Sequence, residues 1–343
     1  GTVADVSFAT ANFGFRVVER NGNTIIEFEG GDEAGLRRLA TGETNFNLGD
    51  DASIWLAAEG NAGNNVLDGS AKSEDIMLNG GAGNDTLRGG AGSDVLAGGA
   101  GRDVMHAGAG HDVVYADAAD VFVSGGVAQI TGGAGYDRLI LTADTAFTNV
   151  DIDALGFEAV DLSDSANIIT GAKNDVNYYL DGKGGNDSLT SAGGDDVLIG
   201  GAGNDTLTGN AGNDRLFGED GSDQLNGGDG KDVLAGGKGS DTLRGGAGDD
   251  IYFYLRGDGA DTILDQAIGT YEERYNYYEN VKHGSGKRAK YVNELRTGYR
   301  TVTGEMDGGI DTLQFGEGIN LEDLILTRSG ENMLVRLRDD ANA

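Results

Sequence analysis

The sequence predicts an all-β chain wound as a parallel solenoid with two short strands to a coil. Three observations carry this reading. Aspartates recur every nine residues at Asp187, Asp196, Asp205, Asp214, Asp223, Asp232, Asp241 and Asp250. Two positions after each stands one bulky apolar residue: Leu189, Leu198, Leu207, Leu216, Leu225, Leu234, Leu243 and Tyr252. The six residues leading to each aspartate are rich in glycine, of which the chain holds 62 against no proline. Self-similarity at a fixed period is the mark of stacked repeats.

From the N-terminus, residues 1–44 read as a β-hairpin cap, with "FRVVERNGNTIIEF" (15–28) turning at Asn21-Gly22. Residues 45–79 alternate short apolar strands with Gly/Asn/Asp turns, as degenerate coils. A first clear block, 80–115, carries Asp85, Asp94, Asp103 and Asp112, followed by Leu87, Leu96, Met105 and Val114. The span 116–181 reads as degenerate coils around one lone copy with Asp137 and Leu139. The second block fills 182–265. Asp75 and Asp261 fall one and two residues out of phase, where an array begins or ends. Residues 266–306 are an insertion with six of the twelve tyrosines, and 307–343 read as a second hairpin cap around Ser329-Gly330. The two ends resemble each other, which points to a unit that recurs in a longer parent protein.

The nine-residue step has a physical logic. Strand side chains alternate, so only the middle residue of the triplet after each aspartate points inward. The preceding six residues must turn, and glycine permits the positive φ that a tight turn needs. Two nonapeptides then close one coil of eighteen residues, and successive coils stack at about 4.8 Å. Asp187, Asp205, Asp223 and Asp241 fall in one ladder, and Asp196, Asp214, Asp232 and Asp250 in the opposite one. Carboxylates about 5 Å apart repel by roughly 1 kcal/mol even in water. Two apolar side chains per coil do not offset the ordering of eighteen residues. A ligand must hold the carboxylates.

Aspartate oxygens and turn carbonyls make an all-oxygen donor set, which suits Ca²⁺ with its six to eight flexible ligands better than octahedral Mg²⁺ or nitrogen- and sulfur-seeking Zn²⁺. The candidate carboxylates are Asp85, Asp94, Asp103, Asp112, Asp137, Asp187, Asp196, Asp205, Asp214, Asp223, Asp232, Asp241, Asp250 and Asp261. The candidate turn donors are Gly81, Gly83, Gly90, Gly92, Gly99, Gly101, Gly201, Gly203, Gly212, Gly221, Gly228, Gly230, Gly237 and Gly239. Metal binding is then coupled to folding.

The composition excludes other classes. A net charge of −32, from 57 acidic and 25 basic residues, repels nucleic acid and anionic membranes and attracts multivalent cations. With no cysteine there is no disulfide, thiolate site or thiol nucleophile. No apolar run reaches the length of a transmembrane helix. The N-terminus, Gly1-Thr2-Val3-Ala4-Asp5, has neither an initiator methionine nor a signal-peptide pattern and reads as a piece of a longer chain. No G-x-S-x-G, H-E-x-x-H or P-loop motif is present, so catalysis is not expected of this chain. His106 and His111 fall at outward positions of the repeat and read as surface residues rather than transition-metal ligands. An ice-binding array would need a regular outward column, and the third repeat position is irregular. The insertion supports two readings: a tyrosine and basic recognition surface for a glycan or protein ligand, or a segment packing its tyrosines on the end of the solenoid.

The pattern G-G-x-G-x-D-x-U-x, with U a bulky apolar residue, resembles that of the RTX (repeats-in-toxin) haemolysin-type calcium-binding proteins. "GGIDTLQFGEGINLEDLILTRSGENMLVRL" (308–337) is similar to the segment that often follows such an array. The resemblance implies a right-handed parallel β-roll with Ca²⁺ in its turns. It also implies export by type I secretion machinery, a secreted, extracellular or cell-surface location, and folding in external calcium. The expected role is the structural module of a toxin or adhesin; the alternative is the accessory module of a secreted epimerase, protease or lipase. Ser191 and Ala107 replace the first glycine of their copies, and Lys183, Ala192, Asn210 and Glu219 the second. The third glycine, two residues before the aspartate, is kept throughout the clear copies.

Overall fold

The computed structural model describes residues 14–20, 23–29, 36–38, 42–47, 57–121, 129–142, 146–173, 175–255, 257–264, 290–291, 300–304, 311–315, 324–329 and 332–337. Most of the 266–306 insertion and both hairpin turns lie outside these residues. The chain is a parallel β-solenoid with two one-turn helices, Ala118–Val121 and Ile152–Leu155, among the described residues. It divides into two compact units: Gly1–Phe147 with Asp151–Ser163, and Thr148–Val150 with Asp164–Ala343.

In the first unit, one parallel sheet runs through Asn45–Asn47, Val66–Asp68, Thr86–Arg88, Val104–Gly110 and Ile130–Gly135. The other runs through Leu36–Arg38, Ala57–Glu59, Met77–Ala82, Val95–Ala100, Val113–Ala116, Arg138–Leu141 and Ala159–Asp161. Consecutive copies therefore alternate between sheets. The apolar residues stack in register, Leu67 on Leu87 on Met105 and Leu78 on Leu96 on Val114. All six are fully buried, because only the middle residue of each strand points inward. The phase break after 115 does not break this stacking. Val114 pairs with Leu139, and the one-turn helix Ala118–Val121 lies between their strands in sequence.

Strands Gly14–Arg20 and Asn23–Glu29 form the expected antiparallel hairpin, with Arg20 opposite Asn23. Asn23–Glu29 runs beside Met77–Ala82 and Val95–Ala100, which already have neighbours on both edges, so the hairpin lies across the outer face of that sheet. There Ala57, Met77, Val95, Ala97 and Tyr115, all outward positions of their strands, form a second buried apolar cluster.

The second unit repeats the plan. One sheet stacks Tyr179–Asp181, Val197–Ala202, Arg215–Gly221, Val233–Gly239, Ile251–Tyr254 and Asp311–Phe315 in parallel. The other stacks Ile168–Thr170, Ser188–Thr190, Thr206–Ala211, Gln224–Asp229, Thr242–Ala247 and Ala260–Leu264. Both then end in antiparallel strands. Asn332–Leu337 pairs with Ala260–Leu264 and folds back on Leu324–Ser329 as the C-terminal hairpin. Arg300–Gly304, from the insertion, pairs with Asp311–Phe315 and Lys290–Tyr291. Antiparallel strands close the ends of the parallel ladders, which would otherwise offer open edges.

Candidate metal centre

Each aspartate of the repeat occupies one repeated slot where a turn enters its strand. The slot is defined by a backbone bond: the N–H of one slot residue donates to Oδ1 of the aspartate one coil further on. In the second unit Asp187, Asp205 and Asp223 donate to Asp205, Asp223 and Asp241 at 2.7, 2.8 and 2.8 Å. In the opposite ladder Asp196, Asp214 and Asp232 donate to Asp214, Asp232 and Asp250 at 2.8, 2.8 and 2.9 Å. Asp241 donates to Asp261 at 3.1 Å, so Asp261 stands in the ladder although its phase in the sequence is shifted. In the first unit Asp85 donates to Asp103 and Asp94 to Asp112, each at 2.7 Å, and Asp112 to Asp137 at 2.9 Å.

The other oxygen is what makes these slots chemically unusual. Oδ2 of Asp85, Asp103, Asp112, Asp137, Asp187, Asp205, Asp214, Asp223 and Asp232 is buried without a hydrogen-bond partner. Burial of an unpaired carboxylate oxygen is costly, and such groups are ordinarily paired or bound to metal. Accordingly, burial pushes Asp85, Asp187, Asp223 and Asp232 up to about 7, and Asp103, Asp112 and Asp214 to about 6. The backbone N–H bonds oppose this rise, while neighbouring carboxylates, such as Asp205 and Asp241 around Asp223, add to it. Asp137 and Asp205 are raised for the same first reason. Asp261 reaches about 8 through burial and the charges of Asp241 and Asp258.

The turns that carry the slots also stack. Gly203 has φ +139°, and a Cβ on it would lie 1.5 Å from the Gly185 carbonyl oxygen, so only glycine fits. Three of the four non-glycine residues at the second position keep the same left-handed backbone, Lys183, Asn210 and Glu219 with φ 67°, 73° and 74°, while Ala192 does not. Eleven of the other candidate turn glycines adopt positive φ as well: Gly81, Gly83, Gly99, Gly101, Gly201, Gly212, Gly221, Gly228, Gly230, Gly237 and Gly239. Gly90 and Gly92 do not share this conformation. The Gly90 N–H instead donates to Asp94 Oδ2 at 2.6 Å, so Asp94 has both oxygens engaged, unlike its neighbours.

Four features escaped the sequence. Asp120, outside any repeat, takes the slot after Asp103 and accepts its N–H at 2.6 Å. Burial raises it to about 7. Glu158 accepts the Asp137 N–H at 2.8 Å. Asn65 and Asn167 stand in the slots before Asp85 and Asp187. Beside each ladder runs a second, exposed one at the preceding position, in which side-chain oxygens of Asn84, Asn186, Asp195, Asn204 and Asn213 accept the N–H one coil on. The Asn/Asp bias of that column was the available signal. His111 belongs to it, since its Nδ1 accepts the Tyr136 N–H at 3.0 Å. His106 Nδ1 pairs with Thr131 Oγ1 at 2.9 Å.

These residues fit calcium. Among the described residues no three His, Asp or Glu side chains converge on one point, so a cation here takes carboxylate oxygens together with backbone carbonyls. That hard, all-oxygen set lacks the nitrogen or sulfur that zinc prefers, and flexible turn carbonyls suit a cation with variable coordination. Bound Ca²⁺ would supply the charge that the buried Oδ2 atoms lack. Fold and site together define a calcium-binding β-roll. The family model of the RTX calcium-binding nonapeptide repeat (four copies) matches residues 58–72, 79–114, 179–207, 191–225, 199–234 and 226–263, and the chain carries these repeats. No curated protein matches the chain.

Proposed function

We propose that this chain is the calcium-folded structural module of a secreted RTX protein, part of a toxin or adhesin exported by type I secretion, with no catalytic role of its own. The observation that carries the calcium-dependent part is the run of buried Asp Oδ2 atoms without partners, on carboxyls raised to about 6 or 7. A chain built this way is poorly folded at neutral pH in the calcium-poor interior of a cell and orders where calcium is plentiful, which suits export before folding. The repeat match and the absence of a membrane-length apolar helix among the described residues are consistent with that route. The test is a calcium titration followed by far-ultraviolet circular dichroism, with magnesium as control. The expected result is a β-spectrum that develops with calcium only. A full β-spectrum in chelator, or equal folding by magnesium, overturns the coupling.

A further inference from the structure

Besides the asparagine slots of Asn65 and Asn167, two slots hold no carboxylate, and both are filled by large hydrophobic side chains. The Ile76 N–H donates to Asp94 Oδ1 at 2.9 Å and the Tyr178 N–H to Asp196 Oδ1 at 2.7 Å, the bond that defines a slot. The register agrees, with Leu78 on Leu96 and Leu180 on Leu198. In an aspartate slot, Oδ2 lies against the first glycine of its copy: a Cβ on Gly80, Gly200 or Gly218 would be 2.4 Å from Oδ2 of Asp85, Asp205 or Asp223. In the two exceptional slots carbon takes that place. A Cβ on Gly69 would be 2.1 Å from Ile76 Cδ1, and one on Gly171 would be 2.8 Å from Tyr178 Cε2. Ile76 and Tyr178 are 0% and 2% exposed, so water does not reach these slots.

The exception recurs with the same spacing. Asn65, Ile76, Asp85 and Asp94 stand 102 residues before Asn167, Tyr178, Asp187 and Asp196, and each pair falls in the same slot of its own unit. In each unit, therefore, the run of aspartates in each ladder is preceded by an uncharged residue, asparagine in one and a large hydrophobic plug in the other. The turn above each plug departs from the glycine pattern too. Gly90 donates its N–H to Asp94 Oδ2, and Ser191 replaces the first glycine, donating its hydroxyl to the Gly209 carbonyl at 2.9 Å.

We propose that Ile76 and Tyr178 set where calcium binding begins, each closing the slot one coil before the first carboxylate of its ladder so that this coil is held by packing instead of metal. This rests on the calcium reading of the ladders. An aspartate in either slot would open one further site in calcium and, without calcium, would add another buried and unpaired carboxylate; a plug without charge carries no such penalty. The plug therefore gives each unit a metal-free platform on which the first complete calcium turn is laid.

The test counts calcium bound to the full chain by equilibrium dialysis, alongside circular dichroism in calcium and in chelator. Ile76→Asp and Tyr178→Asp are each expected to bind one more ion than the wild type, and to lose residual structure in chelator. Tyr178→Leu keeps a hydrocarbon plug and is expected to leave the count unchanged. An unchanged count in both folded aspartate variants overturns the proposal, as does a lower count in Tyr178→Leu. So does failure of both aspartate variants to fold in saturating calcium, because the slots would then reject a ligand outright. A wild-type chain that binds no calcium defeats the functional reading itself and is distinguished by that control.

Discussion

Asp223→Asn separates the two roles of the carboxylate. Asp223 Oδ1 accepts the Asp205 N–H at 2.8 Å, and an asparagine oxygen can do the same; its own N–H still donates to Asp241. The ladder geometry is thus preserved. What changes is the charge, and Oδ2 becomes an NH₂ group with no lone pair for a cation. In calcium the variant is expected to lose one ion. At a free concentration 100 times the dissociation constant, one site contributes about 2.7 kcal/mol to stability. Without calcium the sign reverses. The carboxyl is 1% exposed and sits at about 7 instead of 3.8. At about 1.4 kcal/mol per tenfold change, burying the ionised form costs up to about 4 kcal/mol above neutral pH; asparagine avoids that charge, at the smaller cost of about 1–3 kcal/mol for an NH₂ group without a partner. Urea unfolding in saturating calcium, and osmolyte-induced folding in chelator, measure the two limbs. Destabilisation in calcium with stabilisation in chelator is the expected pair. A loss of similar size in both media would show that Asp223 acts only through its hydrogen bonds.

Four further outcomes follow from the same geometry. Leu216→Ala empties a fully buried position between Leu198 and Leu234 and is expected to lower stability in calcium by about 3 kcal/mol in urea unfolding; a loss under about 1 kcal/mol would contradict the thin-core description. Gly203→Ala forces a Cβ into the Gly185 carbonyl at a φ of +139°, so its calcium-folding midpoint should move to higher concentration, and an unmoved midpoint would mean the turns are slack. His111→Ala removes one acceptor of the exposed ladder, with an expected loss of about 1 kcal/mol and no change in calcium count by dialysis. The raised carboxyls also set the pH response of the calcium-free chain. Below about 3.8 they are protonated in both states, and as the pH climbs to about 7 the unfolded chain ionises first, so the metal-free fold loses stability across that window. Circular dichroism of the stripped chain should therefore show more structure at about pH 5 than above neutrality, with calcium affinity rising over the same range.

The two ladders and their pairing followed from the nine-residue step, because strand alternation and parallel stacking leave one arrangement for an aspartate and one apolar residue per copy. The pattern was silent where a slot is filled by position in space instead of phase. Asp120 reaches its slot from a one-turn helix, and Asp261 reaches its own after a twenty-residue coil. Ile76 and Tyr178 stand two places before the inward residues Leu78 and Leu180, and only the backbone bonds show which slot they occupy. The N-terminal hairpin was legible as a hairpin from Asn21-Gly22, but its place across a sheet face depends on outward residues such as Met77 and Tyr115, which the repeat template leaves unassigned.

The step of nine also hides a difference that the coil of eighteen reveals. Consecutive copies fall in opposite sheets, so an outward column must be read every second copy. In the second unit one sheet presents Ser188, Thr206, Gln224 and Thr242, stacked in register, while the other presents Val197, Arg215, Val233 and Ile251. Read in sequence order these alternate and look irregular; read by sheet, one column is wholly polar and the other is apolar except for Arg215. Calcium constrains both sheets alike, since each needs the same aspartate slot and the same turn. It places no demand on the outward residues. The metal ladder therefore fixes the fold while leaving two chemically distinct outer surfaces free to differ.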